Sequence, residues 1–265
     1  MPLSFCIIRK FTEKEMHEKK GRDDMEETKI SPRLLENEAY VRSRLKNCAD
    51  VLIRTMKLGT ERKVDCLMVY IEVAVSNMML DDSALGKMVN HFWESSPGQI
   101  QEFMENNSLG IADVKKFATM EEAFAALFAG NAIFFMDGYD KAMKISSKGY
   151  PNMPVSKAET EKVLRGSKEG FTDAVKINSA LVRKRLRDSR LKVEERQIGT
   201  RSHTMIQILY MEDMIHEEIL EEVKEKLDCY EIDGILDSGM LEQLAEDSWY
   251  SPFPQFQMTE RPDRA

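Results

Sequence analysis

Hydrophobic positions start to follow a helical period just after residue 31. Leu34 and Val41 share one face of a helix drawn through this segment. Ser31 before Pro32 is a typical helix start, because a capping hydroxyl precedes a proline at the first helical position. The pattern predicts a helix from Ser31 to about Asn47.

A strictly alternating segment follows at residues 64–71. Its two sets of apolar side chains point to opposite sides of an extended chain, which is typical of a strand buried on both faces. One set is Val64, Cys66, Met68 and Tyr70, and the other is Leu67, Val69 and Ile71. The segment is therefore predicted to be a strand that is covered on both sides.

The remainder of the first half predicts three helices and a strand pair. Helices are expected over residues 83–93, after the capping residues at 96–99, and after the capping box Thr119–Glu122. The third helix is expected to end at Gly130. The segments NAIFFMDG and KAMKIS then predict a strand pair around Asp137-Gly138, a dipeptide favoured in tight hairpin turns.

The second half of the chain repeats the first, in the same helix and strand phase. Six identities lie 141 positions apart: Asn37/Asn178, Ala39/Ala180, Val41/Val182, Arg42/Arg183, Arg44/Arg185 and Leu45/Leu186. Four more lie 140 positions apart: Gly59/Gly199, Thr60/Thr200, Tyr70/Tyr210 and Glu72/Glu212. Two further helices are expected around residues 219–227 and 240–244. The repetition predicts an α/β fold of two related α/β subdomains from an internal duplication, with mixed sheets flanked by helices.

The domain organisation follows from these patterns. Residues 1–30 carry mixed charges without an apolar stripe and are predicted to be a flexible charged tail. Residues 31–155 are assigned to the first α/β subdomain and residues 156–250 to the second.

Composition narrows the classes of function. The formal net charge of −8 gives the chain no overall attraction to nucleic acid. Four cysteines stand far apart without a C-x-x-C pair, which favours neither a disulfide framework nor a structural zinc site and fits a reducing, cytosolic location. No run approaches the ~18–20 apolar residues that cross a bilayer.

No set of residues has the spacing of a catalytic, cofactor or metal site. The four histidines lack metal spacing, and no nucleophile and base are paired in the sequence. The segment 165–170 is glycine-rich like a phosphate loop, but its spacing favours a linker turn that locks the following helix. We therefore predict no catalytic residues, no cofactor and no metal.

Polar residues along the two repeated helices allow two interpretations each. The basic run that contains Arg183 and Arg185 faces solvent, or it faces anionic lipid headgroups or an acidic partner. Asn178 and Arg185, with their counterparts Asn37 and Arg44, lie near apolar stripes. We expect these four to hydrogen-bond neighbouring backbone rather than a ligand.

The segment from Glu159 to Glu194 resembles the signature region of the GerA family of spore germination proteins. The family pattern E-x-x-V-x-R-G-[P/S]-[R/K]-[D/E]-G-F leads into a helix with N-x-x-L-[I/V]-R-[R/K]-R. The signature residues matched here and in the chain's last stretch are Glu161, Arg165, Gly166, Gly170, Phe171, Asn178, Arg183, Arg185, Pro252, Pro254, Thr259, Glu260, Arg261 and Pro262. The TERPD ending is the most specific piece, while Ser167 stands where many members have proline.

The resemblance implies a role in sensing and assembly. It implies the N-terminal domain of a germinant receptor A subunit, or of its close stage-five sporulation homologue, that takes part in receptor assembly and relays nutrient signals. Its implied partners are a transporter-like B subunit, a lipoprotein C subunit and other A subunits. Residues 251–265 would lead toward an absent membrane domain, with the present domain on the spore-core side of the inner spore membrane. Two alternatives stay open: a small-molecule receptor that binds a germinant between its two lobes, and an enzyme with dispersed catalytic residues.

Overall fold

The computed structural model describes residues 28–59, 63–73, 114–145, 158, 161–229, 231–246 and 256–265. Its helices are α1 Leu34–Arg44, α2 Met120–Phe128, α3 Val175–Arg185, α4 Glu217–Asp228 and α5 Ser238–Ala245. Its strands are β1 Val51–Leu58, β2 Val64–Ile71, β3 Val114–Phe117, β4 Ala132–Met136, β5 Ala142–Ile145, β6 Leu191–Ile198 and β7 Thr204–Met211. The fold is α/β, as predicted. The helices predicted at 83–93 and after 96–99 lie outside the described residues.

The first lobe, residues 28–145, is built on a five-stranded sheet. The strand order is β1-β2-β4-β5-β3, and every pairing in it is antiparallel. The central strand β2 is buried on both faces, as predicted. Leu67 and Val69 pack into a core that α1 and α2 cover, whereas Cys66 and Met68 belong to a second core on the other face.

The N-cap of helix α1 lies two residues later than the sequence suggested. It is Arg33 rather than Ser31, because the Ser31 hydroxyl accepts the N–H of Arg33 (3.1 Å) just before the helix. The carboxylate of Asp137 accepts the N–H of Leu34 at 3.0 Å and so satisfies the first helical turn. The predicted capping box of α2 is present in its first half, since the Thr119 hydroxyl accepts the N–H of Glu122.

The assignment of residue 30 to a flexible tail was wrong. Ile30 is buried in the first core, and its N–H donates to Ala118 O at 3.0 Å. Lys29 forms a bridge to Thr119 beside it. The apolar side chain of Ile30 explains why the backbone is ordered here, because its burial offsets the conformational entropy that the backbone loses.

The second lobe, residues 158–246, contains the hairpin β6-β7 and the three helices α3, α4 and α5. Ile198 and Ile206 from the hairpin pack against Leu227 of α4 and Leu241 of α5. The sheets of the described residues are antiparallel, so the predicted mixed sheets were wrong. The reason is that the connections from β1 to β2, from β4 to β5 and from β6 to β7 are only a few residues long, and only antiparallel strands allow such short connections.

The two lobes share a helix followed by a hairpin. Helices α1 and α3 each have 11 residues, and the four strands of the two hairpins each have 8. Val51 pairs with Ile71 in the first hairpin and Leu191 with Met211 in the second, so the registers differ by the same 140 positions as the sequence identities. An internal duplication would produce this correspondence.

A short parallel contact joins the lobes. Cys48 bridges Val193, the N–H of Ala49 donates to Val193 O at 2.8 Å, and the N–H of Val193 donates to Asn47 O at 2.9 Å. The turn before β1 is thereby attached to the edge of β6. Helix α3 lies beside this contact and carries three of the signature residues, Asn178, Arg183 and Arg185.

Candidate functional site

The site is the set of signature residues around α3, and its first part closes the turn before that helix. Asn178 is buried, its side-chain oxygen accepts the N–H of Thr172 at 2.7 Å, and its side-chain nitrogen donates to Thr172 O at 2.6 Å. In the first lobe Asn37 makes the same two bonds to Ser31, at 2.9 and 2.7 Å. In both cases the amide is paired with the backbone six residues earlier, as expected for these positions.

The signature loop, residues 161–172, runs back along α3 and is tied to its C-terminal end. Arg185 donates to Ser167 Oγ at 2.8 Å, to Glu169 Oε2 at 2.7 Å and to the backbone carbonyl of Leu181 at 3.2 Å. Lys184 donates to the other oxygen of Glu169 at 3.0 Å. Burial acts to raise the pKa of Glu169, but the bonds from Lys184 and Arg185 outweigh it, so this pKa lies below its ordinary value of 4.5.

The C-terminal segment, residues 256–265, is bound to the start of the signature loop. The Thr259 hydroxyl donates to Glu161 Oε2 at 2.6 Å, and Arg264 donates to Glu161 Oε1 at 2.6 Å. In return, the N–H of Glu161 donates to Glu260 Oε1 at 2.7 Å, and the N–H of Phe171 donates to Glu260 O at 2.7 Å. The E-x-x-V-x-R-G motif and the TERPD motif are therefore in direct contact.

Arg183 occupies the junction between the lobes and is fully buried, with 0% of its side chain exposed. Its guanidinium donates to both carboxylate oxygens of Asp50, at 3.0 and 2.9 Å. Another nitrogen donates to the carbonyls of Asp188 and Leu191, at 3.0 and 2.8 Å, and the group stacks over the ring of Phe128 at 5.1 Å. Asp50 and Phe128 belong to the first lobe, and the carbonyls belong to the second.

The electrostatics of this pair favour the charged form of Arg183. Burial alone would lower its pKa, but the adjacent carboxylate of Asp50 more than offsets burial, so the pKa lies above its ordinary value. A bidentate arginine–carboxylate pair with its remaining donors on carbonyls is the geometry in which a buried charge is well compensated.

The solvent-facing interpretation of Arg183 was wrong. Helix α3 buries Ser179, Ala180, Leu181 and Arg183 together with Asn178, while Val182 and Arg185 are half-buried. The small residues Ser179 and Ala180 are the sequence signal that could have revealed this, because they allow a close approach of the first lobe. The partners Asp50 and Phe128 lie far away in the chain and carried no signal.

Lys192 is a second buried cation at the junction that the sequence did not reveal. Only 3% of its side chain is exposed. Its ammonium group donates to Arg44 O at 3.1 Å and pairs with Glu212 at 3.2 Å. It therefore binds the end of α1 to the second hairpin.

The other signature residues have varied positions. Gly170, Phe171 and Pro262 are buried, and Arg261 is buried and paired with Asp263. Arg165 is exposed at the tip of the loop beside Gly166, whose φ of +135° explains the need for glycine. Pro252 and Pro254 lie outside the described residues.

The space between the lobes beside Arg183 is small. A cavity of about 10 Å³, roughly what one water molecule needs, is lined by Asp50, Glu72, Lys176, Ser179, Glu195 and Gln207 together with three apolar residues. Lys176 and Glu72 form an ion pair of 2.8 Å across the lobes at its edge. Pockets that bind small molecules usually have ~300–1,000 Å³, so this one is far too small for a nutrient.

Two further searches concern the described part of the chain. No three His, Cys, Asp or Glu side chains there are grouped in a way that would hold a metal ion. Among the same residues, no helix combines the length and the apolar character required to cross a bilayer.

The motifs in contact around α3 match a known family. The profile described as Bacillus/Clostridium GerA spore germination protein matches residues 39–265. The chain belongs to the GerA family. Two relatives from Bacillus subtilis (strain 168) are the uncharacterized membrane protein YfkQ, 34% identical over 243 residues, and spore germination protein KA, 32% identical over 234 residues. These alignments cover 91% and 88% of this chain but 46% and 43% of the relatives, so the chain spans about half of their length.

A solved structure has the same fold. It is the N-terminal domain of the A subunit of the Bacillus megaterium spore germinant receptor GerK3, with a TM-score of 0.66 and 24% identity. The match covers 90% of this chain and 88% of that domain.

Proposed function

We propose that this chain is the N-terminal domain of a spore germinant receptor A subunit, and that it takes part in receptor assembly and in relaying nutrient signals. Membership of the GerA family supports the proposal, as do the name of spore germination protein KA and the fold of the GerK3 domain. The alternative to a germinant receptor A subunit is its close stage-five sporulation homologue, which has the same family features.

The observation that carries the relay proposal is a series of polar contacts, joined by the backbone of α3 and of the signature loop, that leads from the first lobe to the C-terminal segment. It passes from Asp50 to Arg183, along α3 to Arg185, and through Glu169 in the signature loop to the contact of Glu161 with Thr259. Well-packed, hydrogen-bonded elements transmit a displacement because they deform little. A movement of the first lobe would therefore reach the C-terminal segment.

The proposed partners follow from the receptor type. They are a transporter-like B subunit, a lipoprotein C subunit and further A subunits. In this proposal, residues 251–265 lead toward a membrane domain, and the present domain lies on the spore-core side of the inner spore membrane. The name of YfkQ, a membrane protein with about twice the length of this chain, supports the membrane attachment.

We also infer that the two lobes arose by duplication, with subdomains at 31–155 and 156–250. The equal lengths and registers of the hairpins support this, and so does the paired use of Asn37 and Asn178. A further parallel supports it: the N–H of Ile30 donates to Ala118 O, and at the corresponding place the N–H of Phe171 donates to Glu260 O.

The rival function is direct recognition of a germinant between the lobes, and the small cavity beside Arg183 argues against it. No observation favours an enzyme. Calorimetry of the purified chain with amino acids, sugars and nucleosides separates the first two functions. We expect no saturable heat at micromolar concentration, and stoichiometric binding of any of these nutrients would favour the receptor-domain alternative.

The relay itself is tested in spores with Thr259→Val in the intact receptor. This change removes the bond that the hydroxyl donates to Glu161 and the bond that it accepts from the N–H of Arg261, while keeping the side-chain shape. We expect at least a ~10-fold slower response to nutrient with receptor levels unchanged, since one tenfold step corresponds to the loss of a single hydrogen bond. Thr55→Val on the exposed side of β1 is the matched control. Equal germination by the two variants would contradict the relay proposal.

A further inference from the structure

The tip of the signature loop exposes an unusual combination of side chains. Leu164 is fully exposed, with a relative accessibility of 104%. Lys162, Arg165 and Lys168 on either side of it are exposed as well, and none of the three makes an ion pair with the described residues. We call residues 162–168 the cationic tip.

The cationic tip is held in place from both sides. Arg185 binds Ser167 within it and Glu169 just after it, and the bonds between Glu161 and Thr259 fix the residue just before it. The exposure of Leu164 therefore belongs to an anchored loop. Such a preorganised loop loses little entropy when it binds a surface.

Three acidic residues around the tip are paired with cations. Glu161 pairs with Arg264, Glu169 pairs with Lys184 and Arg185, and Asp263 pairs with Arg261. The tip therefore keeps three uncompensated positive charges on a chain whose formal net charge is −8. This local reversal of sign favours an anionic surface as the partner.

Two more exposed apolar side chains are chain neighbours of residues that bind the signature loop. Leu186 is 46% exposed and follows Arg185, whose side chain contacts Ser167. Met258 is 51% exposed and precedes Thr259, whose side chain contacts Glu161. Apolar side chains among cations are typical of segments that insert shallowly into the headgroup region of a membrane.

We propose that the cationic tip binds the anionic headgroups of a lipid bilayer, with Leu164 inserted between them. The proposal rests on the proposed function, in which the adjacent C-terminal segment leads toward the membrane. The tip would then set the orientation of the domain on the bilayer, and the network around α3 would connect that surface to the first lobe.

Co-sedimentation of the purified chain with vesicles tests the proposal. We expect binding to an equal mixture of phosphatidylcholine and phosphatidylglycerol, no binding to phosphatidylcholine alone, and release by salt at ~0.5 M, where the Debye length is a few Å. Each cation at the surface strengthens binding about fivefold, so Lys162→Gln/Arg165→Gln/Lys168→Gln should weaken it about 100-fold. Leu164→Ser should weaken it several-fold.

The chain offers matched controls for both variants. Lys46→Gln/Lys57→Gln/Lys63→Gln removes three exposed charges from the first lobe, and Leu35→Ser changes a leucine that is 81% exposed there. Both controls should bind vesicles like the parent chain. Equal losses in the tip and control variants, or no binding to either vesicle, would overturn the proposal.

Two further outcomes separate this proposal from others. Tip-dependent binding to poly-glutamate without binding to anionic vesicles would assign the tip to an acidic protein and overturn the lipid proposal. The vesicle result does not depend on germination. Tip-dependent lipid binding combined with normal germination of Thr259→Val spores would support this inference and contradict the relay.

Discussion

A single buried amide closes the turn before each repeated helix. Asn178 satisfies both the N–H and the C=O of Thr172, and Asn37 does the same for Ser31. Aspartate would lack the donor, and glutamine would need a longer path in a packed site. The asparagine identity at both positions therefore follows from the backbone that it binds.

Removing this amide should destabilise the chain without changing its surface. We expect Asn178→Ala and Asn37→Ala each to lower the free energy of unfolding by ~1–3 kcal/mol, because two buried backbone groups lose their partner. In a chain of this size that lowers the melting temperature by several degrees. Gln197→Ala, at an exposed position of β6, is the control and should change it by less than ~0.5 kcal/mol. An unchanged melting temperature for Asn178→Ala would show that the bonds are replaced by water.

At the scale of elements, local patterns in the sequence predicted most of the described helices and strands. The alternation in β2 predicted its two cores, and Thr119 with Gly130 predicted the limits of α2, because these signals lie within one element. The ties of the signature loop to α3 were not predictable, since the bonds of Arg185 to Ser167 and Glu169 depend on the chain folding back on itself.

The tie between the loop and α3 should depend on pH. The pKa of Glu169 is depressed in the folded chain, so its stabilisation is complete above its ordinary value of 4.5 and is lost as the pH falls through the depressed value. Glu169→Gln should therefore cost ~1 kcal/mol at pH 7 and progressively less as the pH falls below 4.5 and through the depressed pKa of Glu169, because the parent carboxylate then becomes neutral as well.

Urea unfolding at several pH values measures this difference. Glu231→Gln, at an exposed glutamate that makes no ion pair with the described residues, is the matched control. It should alter the unfolding free energy by less than ~0.5 kcal/mol at every pH. A cost of Glu169→Gln that does not fall at any pH on the acid side of 4.5 would mean that the carboxylate charge does not contribute.

At the scale of the whole molecule, the contacts that join the two lobes could not be predicted from the sequence. Arg183 stands in a basic run, and its counterpart in the first helix, Arg42, is an exposed partner of Glu38. The side chain at the matching position of the two helices is thus solvated in one lobe and buried in the other. Arg183 is buried because α3 packs against Asp50 and Phe128 of the first lobe. This contact depends on the tertiary structure and could not be inferred from the sequence of the helix.

The contrast between these two arginines gives a sharp test of the junction. Arg183→Met leaves the Asp50 carboxylate buried without its partner, and we expect it to lower the free energy of unfolding by ~3–5 kcal/mol. Asp50→Asn should cost a similar amount, because it leaves the guanidinium uncompensated. Arg42→Met, at the corresponding exposed pair, should cost less than ~1 kcal/mol.

The double variant Asp50→Asn/Arg183→Met completes the cycle. It removes both charges from the junction, so its cost should be smaller than the sum of the single costs by ~2–3 kcal/mol, which is the range for residues in direct contact. Urea unfolding at neutral pH measures all four proteins. Additive single costs would mean that the two side chains stabilise the lobes independently, and the first step of the proposed relay, from Asp50 to Arg183, would then lose its physical basis.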